Sequence, residues 1–293
     1  QGKLSRHDLP TPALVRDLDV FESNVRKMLG YVKGQGRAIR PHGKTHKCPE
    51  IAKYLIRQGA AGACTAKLSE AEGFAKEGVT GLLVTTQVVG KHKIERAIAL
   101  AKSNPDTMFC VDDAGVARET DAAAQAAKVK LRLAVDLNGG GRSGITPGAE
   151  AVRLVEVIES LPNVQFAGLQ AYAGHASHTK GFTDRKKVSH EAMAPAVETR
   201  KMLEQKGIAC PLLTGGSTGT YNIDSHIDGI NELQPGSFVV MDVDYAKIGG
   251  QDGNETYRDF GYALSVLATV VSRPAPEYAI VDAGFKALAT DRP

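Results

Sequence analysis

A chain of 293 residues, 42% hydrophobic and 24% charged with 31 glycines, is long enough for one large barrel or two ordinary domains and has the composition of a soluble globular protein. Its net charge of +3 comes from 36 Lys and Arg interspersed with 33 Asp and Glu, so no basic block marks nucleic acid or an anionic membrane as the expected partner. No apolar run reaches the ~18 residues needed to span a bilayer, and no signal-peptide core opens the chain, so a cytoplasmic location is expected.

The opening run Leu9-Pro10-Thr11-Pro12-Ala13-Leu14-Val15 is held extended by its prolines. A helix follows, with Asp19 as the expected cap, Phe21, Val25, Met28, Leu29 and Val32 on one face, and Gly34 at its end. Residues 37–40 read as a strand, and after them an alternation begins. Helices are expected at 50–58, 69–77, 91–102, 113–127, 148–160 and 185–205, and strands at 62–66, 81–86, 107–111, 129–137, 164–172, 211–214 and 229–233. Eight strands with helical links in this length make an α/β TIM (β/α)8 barrel over residues 16–237. A doubly wound open sheet is the alternative, because strand order does not follow from one sequence.

Past Gly236 the rhythm changes. Residues 238–245, 262–272 and 278–281 are rich in β-branched residues with no helices between them. They are expected to form a smaller antiparallel β domain, built from residues 1–15 and 238–293, in which the N-terminal segment pairs with them. The closing Asp291-Arg292-Pro293 follows a strand with no final element, so this domain is expected to be incomplete at its C-terminal end.

The chemistry of a TIM barrel sits on the loops after its strands. The first such loop is Arg40-Pro41-His42-Gly43-Lys44-Thr45-His46-Lys47. Positive charge crowded around a lysine favours the neutral amine, the form that attacks a carbonyl. The third strand ends near Gln87, an amide at the mouth. The fifth is followed by Gly139-Gly140-Gly141-Arg142-Ser143-Gly144, a sharp turn that presents one arginine. The sixth leads to Tyr172, His175 and His178, an aromatic to stack on a planar ring and two histidines to move protons. A metal on the two histidines would still need a third ligand. After the seventh and eighth strands, Thr214-Gly215-Gly216-Ser217-Thr218 and Gly236-Ser237 offer backbone N–H groups and hydroxyls to an anion, where such barrels hold phosphate. Cys48, Cys64, Cys110 and Cys210 show no CxxC spacing. The last three lie in or beside apolar runs as expected buried thiols, while Cys48 beside the lysine loop is either packed or reactive.

A lysine after the first strand together with phosphate turns after the last two describes a site for pyridoxal 5'-phosphate. The chain resembles the fold-type III pyridoxal enzymes, built like the N-terminal barrel of alanine racemase. Among them it is most similar to the D-threonine aldolase and D-serine dehydratase family. The resemblance rests on Thr11-Pro12-Ala13-Leu14, the lysine loop, Glu70-Ala71-Glu72, Arg142-Ser143-Gly144, Thr214-Gly215-Gly216-Ser217, Gln234-Pro235-Gly236-Ser237 and Val281-Asp282-Ala283-Gly284-Phe285-Lys286-Ala287.

It implies a lyase acting on D-β-hydroxy-α-amino acids, with retro-aldol cleavage to glycine and an aldehyde ahead of dehydration of D-serine or D-threo-3-hydroxyaspartate. A racemase or a non-catalytic cofactor carrier stands further off. Carried over by position, Lys44 holds the cofactor as a Schiff base, with His42 and Gln87 beside it. Arg142 approaches the ring's oxygen, Tyr172 and His178 lie against it, and Thr214, Gly215, Gly216, Ser217, Thr218, Gly236 and Ser237 gather at the phosphate. Lys44, His175 and His178 are the expected catalytic residues. The resemblance also implies a homodimer and a divalent metal (manganese, magnesium or zinc), whose ligands are expected beyond Pro293.

Overall fold

The computed structural model describes residues 5–288, so Ala289 and the closing Asp291-Arg292-Pro293 lie outside the described residues. The chain enters through β1 (Ala13–Arg16) and α1 (Leu18–Gly34). Asp17, not the expected Asp19, caps α1, its carboxylate accepting the Val20 N–H at 3.0 Å. Asp19 lies in the first turn, where its charge meets the positive end of the helix. Phe21, Val25, Met28, Leu29 and Val32 form the buried face, as their spacing predicts.

The alternation then runs β2 (Ala38–Ile39), α2 (Pro49–Arg57), β3 (Ala63–Thr65), α3 (Leu68–Lys76), β4 (Leu82–Val84), α4 (Lys91–Ser103), β5 (Met108–Val111), α5 (Ala114–Ala127) and β6 (Leu131–Leu137). It continues with α6 (Ala149–Glu159), β7 (Val164–Ala171), the short α7 (Gly174–Ser177), α8 (Phe182–Gln205), β8 (Leu213–Gly215), the short α9 (Tyr221–Asp224) and β9 (Glu232–Leu233). The eight strands β2 to β9 are all parallel, in the order β2-β9-β8-β7-β6-β5-β4-β3. The two end strands also meet. Ala61 N–H donates to the Ile39 carbonyl at 2.8 Å, Cys64 N–H to the Pro41 carbonyl at 2.9 Å, and His42 forms a parallel bridge with Cys64. Neighbours in space are therefore neighbours in sequence all the way round, the order of a TIM barrel and not of a doubly wound sheet.

Alternate residues of each strand face opposite sides. In β4, Leu82 and Val84 join the large core between strands and helices, whereas Leu83 points into the barrel with Cys64, Met108, Cys110, Ala134 and Ala167. Burial pushes the thiols of Cys64 and Cys110 far up and that of Cys210 to about 11, so all three are packed, unreactive groups. Below the apolar plug lies a buried ion pair. Arg40 donates from Nε and Nη2 to the two carboxylate oxygens of Glu232 at 3.0 and 2.9 Å, and from Nη1 to the carbonyls of Ala61 and Gly81.

The last segment departs from expectation in two places. Residues 238–245 do not form a strand; they run through the 3-10 turns Ser237–Val239 and Tyr245–Ile248. Phe238, Val239, Tyr245 and Ile248 are buried there, and Phe238 and Tyr245 join a cluster with Tyr257 and Phe260. Core packing has outweighed β propensity. The single strand expected over 262–272 is two, β10 (Leu264–Leu267) and β11 (Val270–Ala275). β10 pairs antiparallel with β1, joining the chain ends as predicted, and β11 pairs with β12 (Tyr278–Val281). Thr11 Oγ1 donates to Asp282 at 2.6 Å, so the first and last motifs meet in space.

Candidate active site

The loop after β2 turns through the 3-10 segment Gly43–Thr45 and carries Lys44, whose side chain is exposed. His42 is the strut beneath it. Its Nδ1 accepts the Lys44 N–H at 3.3 Å, its Nε2 faces Thr85 Oγ1 at 3.3 Å, and that hydroxyl donates to the Thr65 carbonyl at 3.0 Å. With Nδ1 an acceptor, the proton belongs on Nε2. Burial, and then the charges of Lys44 and Arg142, lower the His42 pKa to about 3, so the ring stays neutral. His46 accepts the Cys48 N–H on Nδ1 at 3.0 Å and stacks on Phe74, and burial lowers its pKa to about 4. Gly43 admits no side chain, because a Cβ would stand 2.5 Å from the Phe74 ring. The lysine backbone is thus held from below while its amine is free to reach inward. Lys44 Nζ lies 5.3 Å from the centre of the Tyr172 ring.

Tyr172 belongs to the opposite wall. A cavity of about 220 Å³ opens there, lined by Asp136, Arg142, Ser143, Gln170, Tyr172 and His175 among others. Its organising residue is Asp136, near the end of β6. One carboxylate oxygen accepts Gln87 Nε2 at 2.7 Å and Ser143 Oγ at 3.0 Å, and the other accepts Gln170 Nε2 at 2.8 Å. Burial raises the Asp136 pKa against the pull of these three donors. Gln87, expected at the cofactor, therefore ties the mouth of β4 to the arginine loop. Asp136 and Gln170 were not singled out by sequence; the available signal was a polar residue near the end of each apolar strand. The His175 ring packs over Gly140, where a Cβ would come within 2.3 Å of it, and both His175 and His178 are exposed. The His178 ring lies 4.8 Å from that of Tyr245.

The third wall is the turn after β8. Thr214 points into the barrel, where its hydroxyl donates to Glu232 Oε1 at 2.9 Å and accepts from Gln234 Nε2 at 3.1 Å. Gly215 permits close approach to β7, since a Cβ would meet the Ala171 carbonyl at 2.0 Å. Gly216, at φ +74°, reverses the chain over the Asp224 carboxylate. Ser177 Oγ donates to Ser217 Oγ at 2.7 Å, Ser217 N–H donates to Thr220 Oγ1 at 3.1 Å, and Thr220 donates to Asp224. The Thr218 hydroxyl accepts the Phe238 N–H at 3.1 Å. Among the described residues, the N–H groups of Thr218 and Gly219 find no protein acceptor. Two free donors on a glycine-hydroxyl turn fit a phosphate. Gly236 closes the ring, its Cα side pressed on the lysine loop so that a Cβ would stand 2.6 Å from Thr45 Oγ1. Ser237 begins the next turn, its carbonyl accepting the Val240 N–H at 3.2 Å.

This wall geometry, a free amine facing an aromatic ring beside an anion turn, suits pyridoxal 5'-phosphate. The alanine racemase N-terminal domain model matches residues 16–244, and a putative serine dehydratase domain matches residues 263–293. The chain belongs to the alanine racemase family of fold-type III pyridoxal-phosphate enzymes. Within this family it is 38% identical to a 3-hydroxy-D-aspartate aldolase of Paracoccus denitrificans (strain Pd 1222), over 98% of this chain and 75% of the relative. It is 30% identical to a D-threo-3-hydroxyaspartate dehydratase of Delftia sp. (strain HT23), over 97% of this chain and 74% of the relative. The crystal structure of a D-threonine aldolase from Filomicrobium marinum superposes with a TM-score of 0.90 at 38% identity, covering 96% of this chain and 75% of that one. No helix among the described residues is long and apolar enough to cross a membrane, and none of their His, Cys, Asp and Glu side chains form a group of three or more able to hold a metal.

Proposed function

We propose that this family member is a lyase that cleaves D-β-hydroxy-α-amino acids by a retro-aldol reaction to glycine and an aldehyde. The observation that carries the reading is the Lys44 amine 5.3 Å over the Tyr172 ring, beside a cavity shared by Arg142 and His175. Pyridoxal 5'-phosphate, when bound, supplies an electron-poor ring that stabilises negative charge at the substrate's α-carbon. Lys44 Nζ is the amine that holds it, the 216–220 turn and Gly236 receive its phosphate, and Tyr172 covers one face. Arg142, on the same cavity wall, would be the cation that meets the ring's oxygen. Asp136, Gln87 and Ser143 keep the arginine loop in place. His175 takes the proton from the substrate's β-hydroxyl, because it shares the cavity with Tyr172 and Arg142. His178, steadied against Tyr245, flanks the ring. Release of that proton accompanies scission of the Cα–Cβ bond, whereas dehydration would require removal of the α-proton and departure of the hydroxyl.

The experiment supplies D-threonine or D-threo-3-hydroxyaspartate with manganese and assays glycine with aldehyde separately from keto acid with ammonia. Glycine is expected; keto acid with no glycine would assign the chain to the dehydratases. The proposed working form is a homodimer that uses a divalent metal. Exposed Val266, Val271, Tyr278 and Ile280 on the small sheets support the first; the second rests on the family resemblance, with which a solved D-threo-3-hydroxyaspartate dehydratase variant described as a metal-free form is consistent. A chelator should stop turnover while leaving the cofactor in place, and unaffected turnover would remove the metal from the proposal.

A further inference from the structure

Arg185 is a fully buried side chain in the first turn of α8; among the described residues no carboxylate hydrogen-bonds to it, and the Asp259 charge acts on it only from a distance. Its guanidinium is spent on backbone. Nε donates to the Gly219 carbonyl at 2.9 Å, Nη1 to the carbonyls of Thr179 at 3.1 Å and Ile248 at 2.6 Å, and Nη2 to that of Gly249 at 2.9 Å. Those four carbonyls come from three separate segments: the turn after α7, the turn after β8, and the end of the 3-10 turn Tyr245–Ile248. The same guanidinium stands 5.6 and 5.9 Å from the ring centres of Phe182 and Tyr257.

The consequence falls on the peptide between Thr218 and Gly219. Its carbonyl accepts the Tyr257 hydroxyl at 2.8 Å, and in a trans peptide the N–H points the opposite way, which aims the free Gly219 N–H away from the aromatic cluster. The next carbonyl, that of Gly219, is fixed by Arg185, which also packs on the Tyr257 ring. Donors bound to both carbonyls polarise these peptides, and a buried cation behind the turn, offset in part by the more distant Asp259 charge, adds attraction for an anion in front of it. We propose that Arg185 is a positioning residue which holds the 216–220 turn in its anion-accepting shape and sets the preference for a phosphorylated cofactor. The inference rests on the reading of that turn as the phosphate site. A lysine in its place keeps the charge but lacks the planar fork that reaches all four carbonyls.

The test titrates apoprotein with pyridoxal 5'-phosphate and, separately, with pyridoxal, for wild type and Arg185→Lys. The variant should lose about tenfold or more in affinity for the phosphorylated form and less than about threefold for pyridoxal, because only the first engages the turn. A general loosening of the fold would lower both alike, and that result, or no change in either, overturns the inference. If wild type itself shows no preference for the phosphorylated form, the phosphate reading of the turn fails and the role of Arg185 fails with it. Should Arg185→Lys not fold, hydrogen exchange on the wild type with and without inorganic phosphate decides. Joint protection of the amides near 179, 216–220 and 248–250 supports a shared clamp, and protection confined to 216–220 refutes it.

Discussion

Glu232 is the carboxylate whose replacement by glutamine probes the barrel interior most directly. Both its oxygens are engaged by Arg40, and Thr214 Oγ1 adds a third bond. Arg40 and Glu232 are both buried, so screening by water is slight. Glutamine has nearly the same shape, but it sets an amide NH2 against the Arg40 guanidinium and leaves that charge uncompensated. Breaking a buried pair from one side costs about 3–5 kcal/mol. At about 2 °C per kcal/mol for a chain of this size, the melting temperature should fall by roughly 6–10 °C. The assay is thermal unfolding of the apoprotein, followed by far-UV circular dichroism. Arg40→Met/Glu232→Leu, which removes both charges, should recover most of the loss. A drop below about 2 °C for Glu232→Gln, or a double variant as unstable as the single one, would refute the view that desolvated charge dominates here. Arg40 opens the lysine loop, so the loss should also weaken cofactor binding.

Three further outcomes are expected. Lys44→Ala should keep the fold but abolish cofactor trapping by borohydride; a trapped adduct in the variant would assign another lysine. Gly236→Ala drives a Cβ to 2.6 Å from Thr45 Oγ1 and 3.1 Å from the His42 carbonyl, so cofactor affinity should fall about tenfold or more, with equilibrium dialysis as the check and wild-type affinity as the refutation. Burial raises the Asp224 pKa to about 6, above its unfolded value near 3.9. A carboxyl raised in the folded state costs nothing below about pH 4 and its full amount above about pH 6, so stability should fall across that window by about 3 kcal/mol. Urea midpoints at pH 4 and pH 7 test this: Asp224→Asn should remove that part of the slope, and an unchanged slope would count against it.

The barrel was legible because its two periods are local. Apolar residues every three to four places in α1 and the short β-branched runs mark helix and strand before any contact is made. The lysine loop and the turns at Gly215-Gly216 and Gly236 were legible for a related reason, since each follows a strand end and that is where such a barrel carries its chemistry.

Other features depended on what lies across the sequence. Strand order, and with it the choice of barrel over open sheet, was decided only by the meeting of Ile39 and Pro41 with Ala61 and Cys64. Residues 238–245 have strand composition, yet Phe238 and Tyr245 gain more by burial among Tyr257 and Phe260 than any edge would supply. Asp136 and Arg185 look unremarkable in the sequence. Beside the nearby Ser143 and Thr179, their partners include Gln170 and Gly219, each 34 residues away, and Gly249, 64 away. Local periodicity determined the elements and the loops at which the site is proposed; only the closed barrel, which brings distant polar groups together in a dry interior, decided which side chains brace those loops.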